Sequence, residues 1–133
     1  MSAKICNNLG LAIQNISICE ALALGGKTGV NQKILAQIMS LSTGSCWSVK
    51  TNCPVPGFDP SLPADNDYEH GFESRLMKKD ISLVLKEASK ANIDLQFAKK
   101  AIEYYQALED SGFAKKDIGI MLQHISKLKE RDE

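Results

Sequence analysis

Apolar residues recur along this chain with the period of a helix, and no stretch sustains the alternation of a half-buried strand. The pattern predicts a first helix over residues 2–24, with Ser2 as its cap and Gly25-Gly26 as its stop. Asn31 is placed to cap a second helix over 32–41, which carries Ile34, Leu35, Ile38 and Met39 at helical spacing. A third is expected over 72–91, ended near Asn92 and buried through Phe72, Leu76, Ile81, Val84, Leu85 and Ala88. Asp94 is read as the cap of a fourth, which runs to Ser111, buries Ala98, Ala101, Ile102, Tyr105 and Leu108, and exits at Gly112. The last is expected over 115–129, burying Ile118, Met121, Leu122, Ile125 and Leu128 behind the poor cap Ala114, with a charged tail from Lys129 that should fray. Between 52 and 71 the periodicity fails. Pro54, Pro56, Pro60 and Pro63, with Gly57, forbid a long helix or central strand there, and so long an aperiodic stretch is either functional or a cover. The fold class is all-α, a compact bundle of about five to six helices with a long N-terminal helix.

The first helix is amphipathic in an unusual way. At about 100° per residue, Lys4, Asn8 and Asn15 fall in one row, flanked by Asn7 and Gln14. The opposite arc carries Ile5, Leu9, Ala12, Ile13, Ile16 and Cys19. A water-facing stripe usually carries Glu and Lys, whereas this one is mostly uncharged amide with a single ammonium. The row is expected to face a ligand or a second domain; the alternative is an ordinary polar helix face.

Composition narrows the class. At 133 residues the chain is one domain by length, and its formal charge of zero gives no basic excess for nucleic acid. The long apolar stretch from Leu9 to Leu24 is interrupted by Gln14, Asn15, Ser17 and Glu20, so no membrane span is expected. No basic or apolar leader stands at the N-terminus, and no targeting signal is expected. Cys6 and Cys19 lie about 20 Å apart along one helix, too far to bridge. Cys46 and Cys53 lack the spacing of a zinc pair, and His70 and His124 are remote, so free thiols and no metal site are expected. Gly26-Lys27-Thr28 is not a phosphate loop, because Ala21 stands where that motif needs glycine and no strand precedes it.

Two further stretches could carry chemistry. Ser42-Thr43-Gly44-Ser45-Cys46-Trp47 is either a ligand-facing turn or a loop whose tryptophan plugs the core. Lys78-Lys79-Asp80 is, on its own, a solvated charge cluster. From the residues alone two classes compete: half of an active site built around Lys4 and completed by another domain, or a helical binding or dimerisation module.

Read together, Ala3-Lys4-Ile5-Cys6-Asn7-Asn8, Ser45-Cys46-Trp47-Ser48, Pro54-Val55-Pro56-Gly57, Gly71-Phe72, Leu76-Met77-Lys78-Lys79-Asp80 and Phe113-Ala114-Lys115-Lys116-Asp117 resemble the 3-hydroxyisobutyrate dehydrogenases of the β-hydroxyacid dehydrogenase family. The resemblance covers essentially the whole chain and is to the C-terminal helical domain alone, whose fold is like that of the 6-phosphogluconate dehydrogenase C-terminal domain. It implies that residues 1–133 are a substrate-binding, catalytic-lysine domain and that the N-terminal Rossmann NAD-binding domain, with its glycine-rich loop, is absent.

By that resemblance Lys4 is the catalytic general acid/base on the substrate hydroxyl. In the oxidation direction it needs its pKa lowered by desolvation or nearby positive charge. Asn8 binds and orients the substrate, and Trp47 lines its pocket, with Ser42–Gly44 near the pocket mouth. Lys79 reaches the cofactor near its nicotinamide end, and Asp80 lies beside it as a further cofactor-site residue that positions that lysine. Asn52 stands where close relatives often carry tyrosine, which changes the expected pocket polarity.

The implied function is NAD-dependent oxidation of 3-hydroxyisobutyrate to methylmalonate semialdehyde in valine catabolism, with NADP as the other cofactor. The chain alone is expected to be inactive. The alternatives are a non-catalytic oligomerisation module derived from this family, or a relative acting on another small hydroxy acid. The expected partners are a small 3-hydroxy acid, a Rossmann domain and further copies of the chain, with no nucleic acid and no membrane. The mitochondrial matrix is the implied location in a eukaryote, the cytoplasm otherwise.

Overall fold

The computed structural model describes residues 2–132, with side chains as far as Lys127. It is helical: α1 (Ala3–Lys27), α2 (Gln32–Ser40), α3 (Trp47–Lys50), α4 (Ser74–Ala91), α5 (Gln96–Asp110) and α6 (Met121–Asp132), with 3₁₀ turns at Pro63–Asn66 and Ile118–Ile120. Among the described residues the only extended pairing is a single antiparallel bridge, Glu73 with Asp117. α1 is the axis. It packs on α4, α5 and α6, and also on α2 and α3. The core gathers Ala12, Cys19, Leu22, Met77, Ile81, Tyr105, Leu108, Ile118, Met121 and Leu122 around it.

The buried positions of α1 are Asn8, Ala12, Asn15, Ile16, Ile18, Cys19, Leu22, Ala23 and Gly25. Projected down the axis, this arc contains the row of Lys4, Asn8 and Asn15, so the amide row points into the bundle. The expectation that the row faces a ligand or a second domain is overturned at its Asn15 end, while Lys4 is exposed. Asn15 is the reason: its Nδ2 donates to Tyr105 Oη at 3.2 Å and to the Ile118 carbonyl at 3.0 Å, while Tyr105 Oη donates to the Ala12 carbonyl at 2.9 Å. A buried amide satisfied in this way ties α1 to α5 and to the turn before α6. By length and apolarity alone α1 is sufficient to cross a membrane, contrary to expectation; its burial inside the bundle accounts for that character.

Ser2 caps α1 as expected, its Oγ accepting from Ile5 N at 3.3 Å. The helix does not stop at Gly25-Gly26. It runs to Lys27, with Thr28 at its end and Gly29 at φ +92 reversing the chain. The two glycines instead let α2 approach closely. A Cβ on Gly25 would drive into Leu35 Cδ2, and one on Gly26 would meet Gln32, whose Nε2 donates to the Leu22 carbonyl at 2.9 Å. Asn31 caps α2, as read from sequence. Yet Ala36 is the buried residue of α2, while Ile34 and Ile38 stand more than half exposed.

α4 ends at Asn92, which takes the left-handed conformation at φ 58. Its inward face uses Met77 with Ile81, Val84 and Ala88; Leu76 is 41% exposed and Phe72 lies before the helix. Asp94 does not cap α5. Its carboxylate accepts instead from the side chains of Gln96 and Lys99, and Leu95 holds the cap position. The segment expected to open the last helix at Lys115 is a turn, closed by Lys116 N donating to Phe113 O at 3.0 Å, because its carbonyls are committed elsewhere. Ser74 N donates to Lys116 O at 2.9 Å and Arg75 N to Ala114 O at 2.8 Å, so this segment caps α4. Asp117, accepting from Gly119 N, begins the following turn, and Ala114 is no cap at all. Leu128 and the tail from Lys129 fall outside the described side chains.

Burial also sets the core's response to alkali. It pushes the Tyr68 phenol up to about 12 and raises Tyr105, Cys19 and Cys53 as well, so each neutral form is the one the fold retains. A group whose native pKa is raised contributes stability below its ordinary value and loses it as pH climbs through the native one. From ordinary values of 9.0 for the thiols and 10.0 for the phenols, thermal melts should be flat from neutrality up to pH 9 and fall between pH 9 and 12. A melting temperature constant to pH 11 would contradict this.

Candidate active site

The N-terminal turns of α1 emerge from the bundle between two concavities. The first, about 510 Å³, has Lys4 and Asn8 from α1 facing Lys79 and Asp80 from α4, with Ile5, Phe72, Leu76 and Leu83 as apolar walls. The second, about 530 Å³, lies across α1 and brings Trp47 to Asn7, Gln14, Leu11 and Phe72. Phe72 borders both. Helical geometry explains the grouping: Lys4 and Asn8 share a face one turn apart, and α4 packs beside that face.

Within the first concavity Asn8 is only 6% exposed, and its Nδ2 donates to Asp80 Oδ2 at 2.8 Å. Asn7 Nδ2 donates in turn to Asn8 Oδ1 at 3.4 Å. Asp80 therefore holds Asn8; among the described residues it forms no ion pair with Lys79. Glu73, also on the wall, is paired with Arg75. Lys4 and Lys79 are exposed and make no ion pair among the described residues, so two ammonium groups border a partly apolar hollow. Such a hollow suits a small molecule with an anionic group and a short carbon chain.

Trp47, at the start of α3, is 44% exposed and does not plug the core. Gln14 Oε1 accepts from Ser48 N at 3.1 Å and Ser48 Oγ at 3.0 Å, which fixes the turn that presents the indole. Of the residues singled out from sequence, Lys4, Asn8, Lys79 and Asp80 come together, and Trp47 lies in the neighbouring hollow. Ser42–Gly44 line neither. Asn52 lines neither as well: it is 7% exposed and its Nδ2 donates to Asp117 Oδ2 at 3.0 Å, so its identity sets internal packing rather than pocket polarity.

Sequence reasoning placed Phe72 on a buried helix face and did not connect the two hollows through it. Its pairing with Gly71 was the available signal. A Cβ on Gly71 would press into the Asp117 side chain, with Cγ at 2.6 Å and Cβ at 2.7 Å. A glycine needed to admit a carboxylate, followed by an aromatic, marks a wall held in place.

The family model described as NAD-binding of NADP-dependent 3-hydroxyisobutyrate dehydrogenase matches residues 1–125. Rat mitochondrial 3-hydroxyisobutyrate dehydrogenase is 39% identical over 93% of this chain, which spans 37% of the rat protein. A probable 3-hydroxyisobutyrate dehydrogenase of Mycobacterium bovis is 48% identical over 63% of the chain and 29% of its own length. The solved structure of the Mycobacterium tuberculosis enzyme with L-serine superposes with a TM-score of 0.86 at 36% identity, covering 92% of this chain and 42% of that one. The chain thus spans less than half the length of each of these three proteins. A Salmonella typhimurium structure at 20% identity and TM-score 0.78 shares the fold. With matches across nearly its whole length, the chain belongs to the 3-hydroxyisobutyrate dehydrogenase family.

Proposed function

We propose that residues 1–133 form the substrate-binding, catalytic-lysine domain of an NAD(P)-dependent dehydrogenase that oxidises 3-hydroxyisobutyrate to methylmalonate semialdehyde, the step that serves valine catabolism. The observation that carries this reading is the convergence of Lys4, Asn8, Lys79 and Asp80 on one hollow, in a chain of this family. The residues present fit the nicotinamide end of the cofactor and a small acid, since two ammonium groups that make no ion pair among the described residues meet apolar walls there. A bound oxidised nicotinamide supplies the hydride acceptor.

The chain's own residues do the rest. Lys4 Nζ, in its neutral amine form, takes the proton of the substrate hydroxyl, and the ammonium so formed gives it back in the reverse direction. Asn8, pinned by Asp80, orients the substrate, so Asp80 serves the reaction through Asn8. Lys79 would hold the cofactor near its nicotinamide end, Trp47 lines the neighbouring hollow, and Phe72 separates the two hollows while excluding water. By likeness to the rat protein, whose name places it in the mitochondrion, the mitochondrial matrix is the proposed location in a eukaryote, with the cytoplasm in a bacterium.

The test is activity with and without a dinucleotide-binding domain. These 133 residues alone should show no NAD- or NADP-dependent oxidation of 3-hydroxyisobutyrate, and fusion behind the Rossmann domain of a relative should restore it. Turnover by the 133 residues alone, or none from a folded fusion, would sink the reading.

One observation favours a second role, self-association. Leu24, Val30, Ile34, Ile38 and Leu41 are 44–87% exposed at the α1–α2 end, far from Lys4. A second copy is the proposed occupant. Size-exclusion chromatography should give a dimer or larger, reduced to monomer by Ile34→Glu with Ile38→Glu; a wild-type monomer at high concentration rejects it.

A further inference from the structure

A buried carboxylate outside the hollow holds the wall that both hollows share. Asp117 is 2% exposed, and among the described residues no cation pairs with it. Three donors satisfy it instead: Phe72 N to Oδ1 at 2.8 Å, and Asn52 Nδ2 at 3.0 Å and Gly119 N at 2.8 Å to Oδ2. The backbone around it repeats the grip. Asp117 N donates to Tyr68 O at 2.7 Å, and Ile118 N donates to Phe72 O at 2.9 Å. The Phe72 peptide is therefore held on both edges by one short segment.

What is held is strained. Asp67, Tyr68 and His70 take left-handed conformations at φ 52, 57 and 58, a region that ordinary side chains avoid unless their surroundings impose it. Lys116 supplies a second anchor, its Nζ reaching Asp67 O at 2.9 Å, Asp67 Oδ2 at 2.9 Å and Glu69 Oε1 at 2.7 Å. Tyr68 Oη adds a third by donating to Pro54 O at 2.8 Å. Beyond this strap the chain passes through Gly71, pressed against Asp117, into Phe72 and the start of α4 that carries Lys79 and Asp80.

We propose that Asp117, seated by Asn52, is a positioning residue for substrate binding: it clamps the strained 67–72 strap and thereby fixes Phe72 between the two hollows. The proposal rests on the dehydrogenase reading for its ligand, a small hydroxy acid, but the clamp itself has a ligand-free readout. Amide hydrogen exchange in the 133-residue chain should show Phe72 N–H accelerated over and above any rise common to the core amides of Leu22 and Tyr105, by at least about tenfold in Asp117→Asn and about threefold in Asn52→Ala. Equal acceleration at Phe72, Leu22 and Tyr105, or none at Phe72, overturns the clamp. If Asp117→Asn fails to fold, Asn52→Ala decides, and an unfolded Asn52→Ala chain also overturns it.

The second readout is 3-hydroxyisobutyrate titrated against the Trp47 indole and Asn8 side-chain NMR signals. The folded variants should bind about tenfold more weakly than wild type. Unchanged affinity in a variant with accelerated Phe72 exchange would leave Asp117 a purely structural residue and overturn the positioning role. Absence of wild-type binding, with the exchange pattern as expected, would fail the dehydrogenase reading and with it the positioning role, while the clamp stands.

Discussion

Asp117→Ala should lower the stability of the domain by about 3–6 kcal/mol, because three donors lose their acceptor at once and each buried orphan costs about 1–3 kcal/mol before water relieves part of it. The donors are Phe72 N, Asn52 Nδ2 and Gly119 N. Against a typical total of about 5–15 kcal/mol, that loss leaves the chain close to its unfolding threshold at room temperature. Urea melts followed by circular dichroism would measure it. At slopes of about 1–3 kcal/mol per molar urea, the midpoint should fall by at least ~1 M. A shift smaller than ~0.3 M would mean that water enters and satisfies all three donors.

The largest effect on chemistry belongs to Lys4. In the fusion to a dinucleotide-binding domain, Lys4→Ala should reduce the rate of 3-hydroxyisobutyrate oxidation by about 10²–10⁴-fold, the range for loss of a positioned general acid/base. Lys4 is exposed and takes no part in the core, so circular dichroism and the urea midpoint should not move. Lys79→Ala supplies the contrast: its loss should raise the cofactor KM more than it lowers kcat, since it binds rather than transfers a proton. Retention of a tenth or more of wild-type turnover by Lys4→Ala would reassign the proton transfer to another group.

Much of the bundle was legible because helical periodicity and caps are local. Ser2, Asn31, Asn92 and Gly112 all mark helix ends where they were read. What failed depended on partners distant in sequence. Asn15 looked like an outward amide because period alone assigns polar residues to the surface, and its acceptors, Tyr105 Oη and the Ile118 carbonyl, lie on other elements. The segment before Asp117 looked like a helix start, since nothing local reveals that its carbonyls are taken by the first amides of α4. Gly25 and Gly26 were read as a stop, although their role is to admit Leu35 and Gln32.

The site divides in the same way. Lys4 and Asn8 are one turn apart on one helix, so their association was visible from spacing. Lys79 and Asp80 were attached to them by motif resemblance, and the packing of α4 beside α1 is what brings the four together. Asp80 was assigned to the cofactor end, and its geometric role, holding Asn8, emerged only from the fold. Phe72 and Asp117 were missed because each acts through contacts that no local pattern encodes.

The placement of Lys4, Asn8 and Asn15 on one arc of α1 makes that helix an indexing rod. Asn15 seats the rod in the bundle through Tyr105 and Ile118, and the angle of Lys4 follows from the number of residues between them. Inserting a single residue after the exposed Gly10 would turn Lys4 by about 100° relative to Asn15, out of the hollow, while every side chain remained chemically intact. Length between the two ends of this helix is therefore under tighter constraint than composition, and variation there should arrive by substitution and never by a one-residue gain or loss.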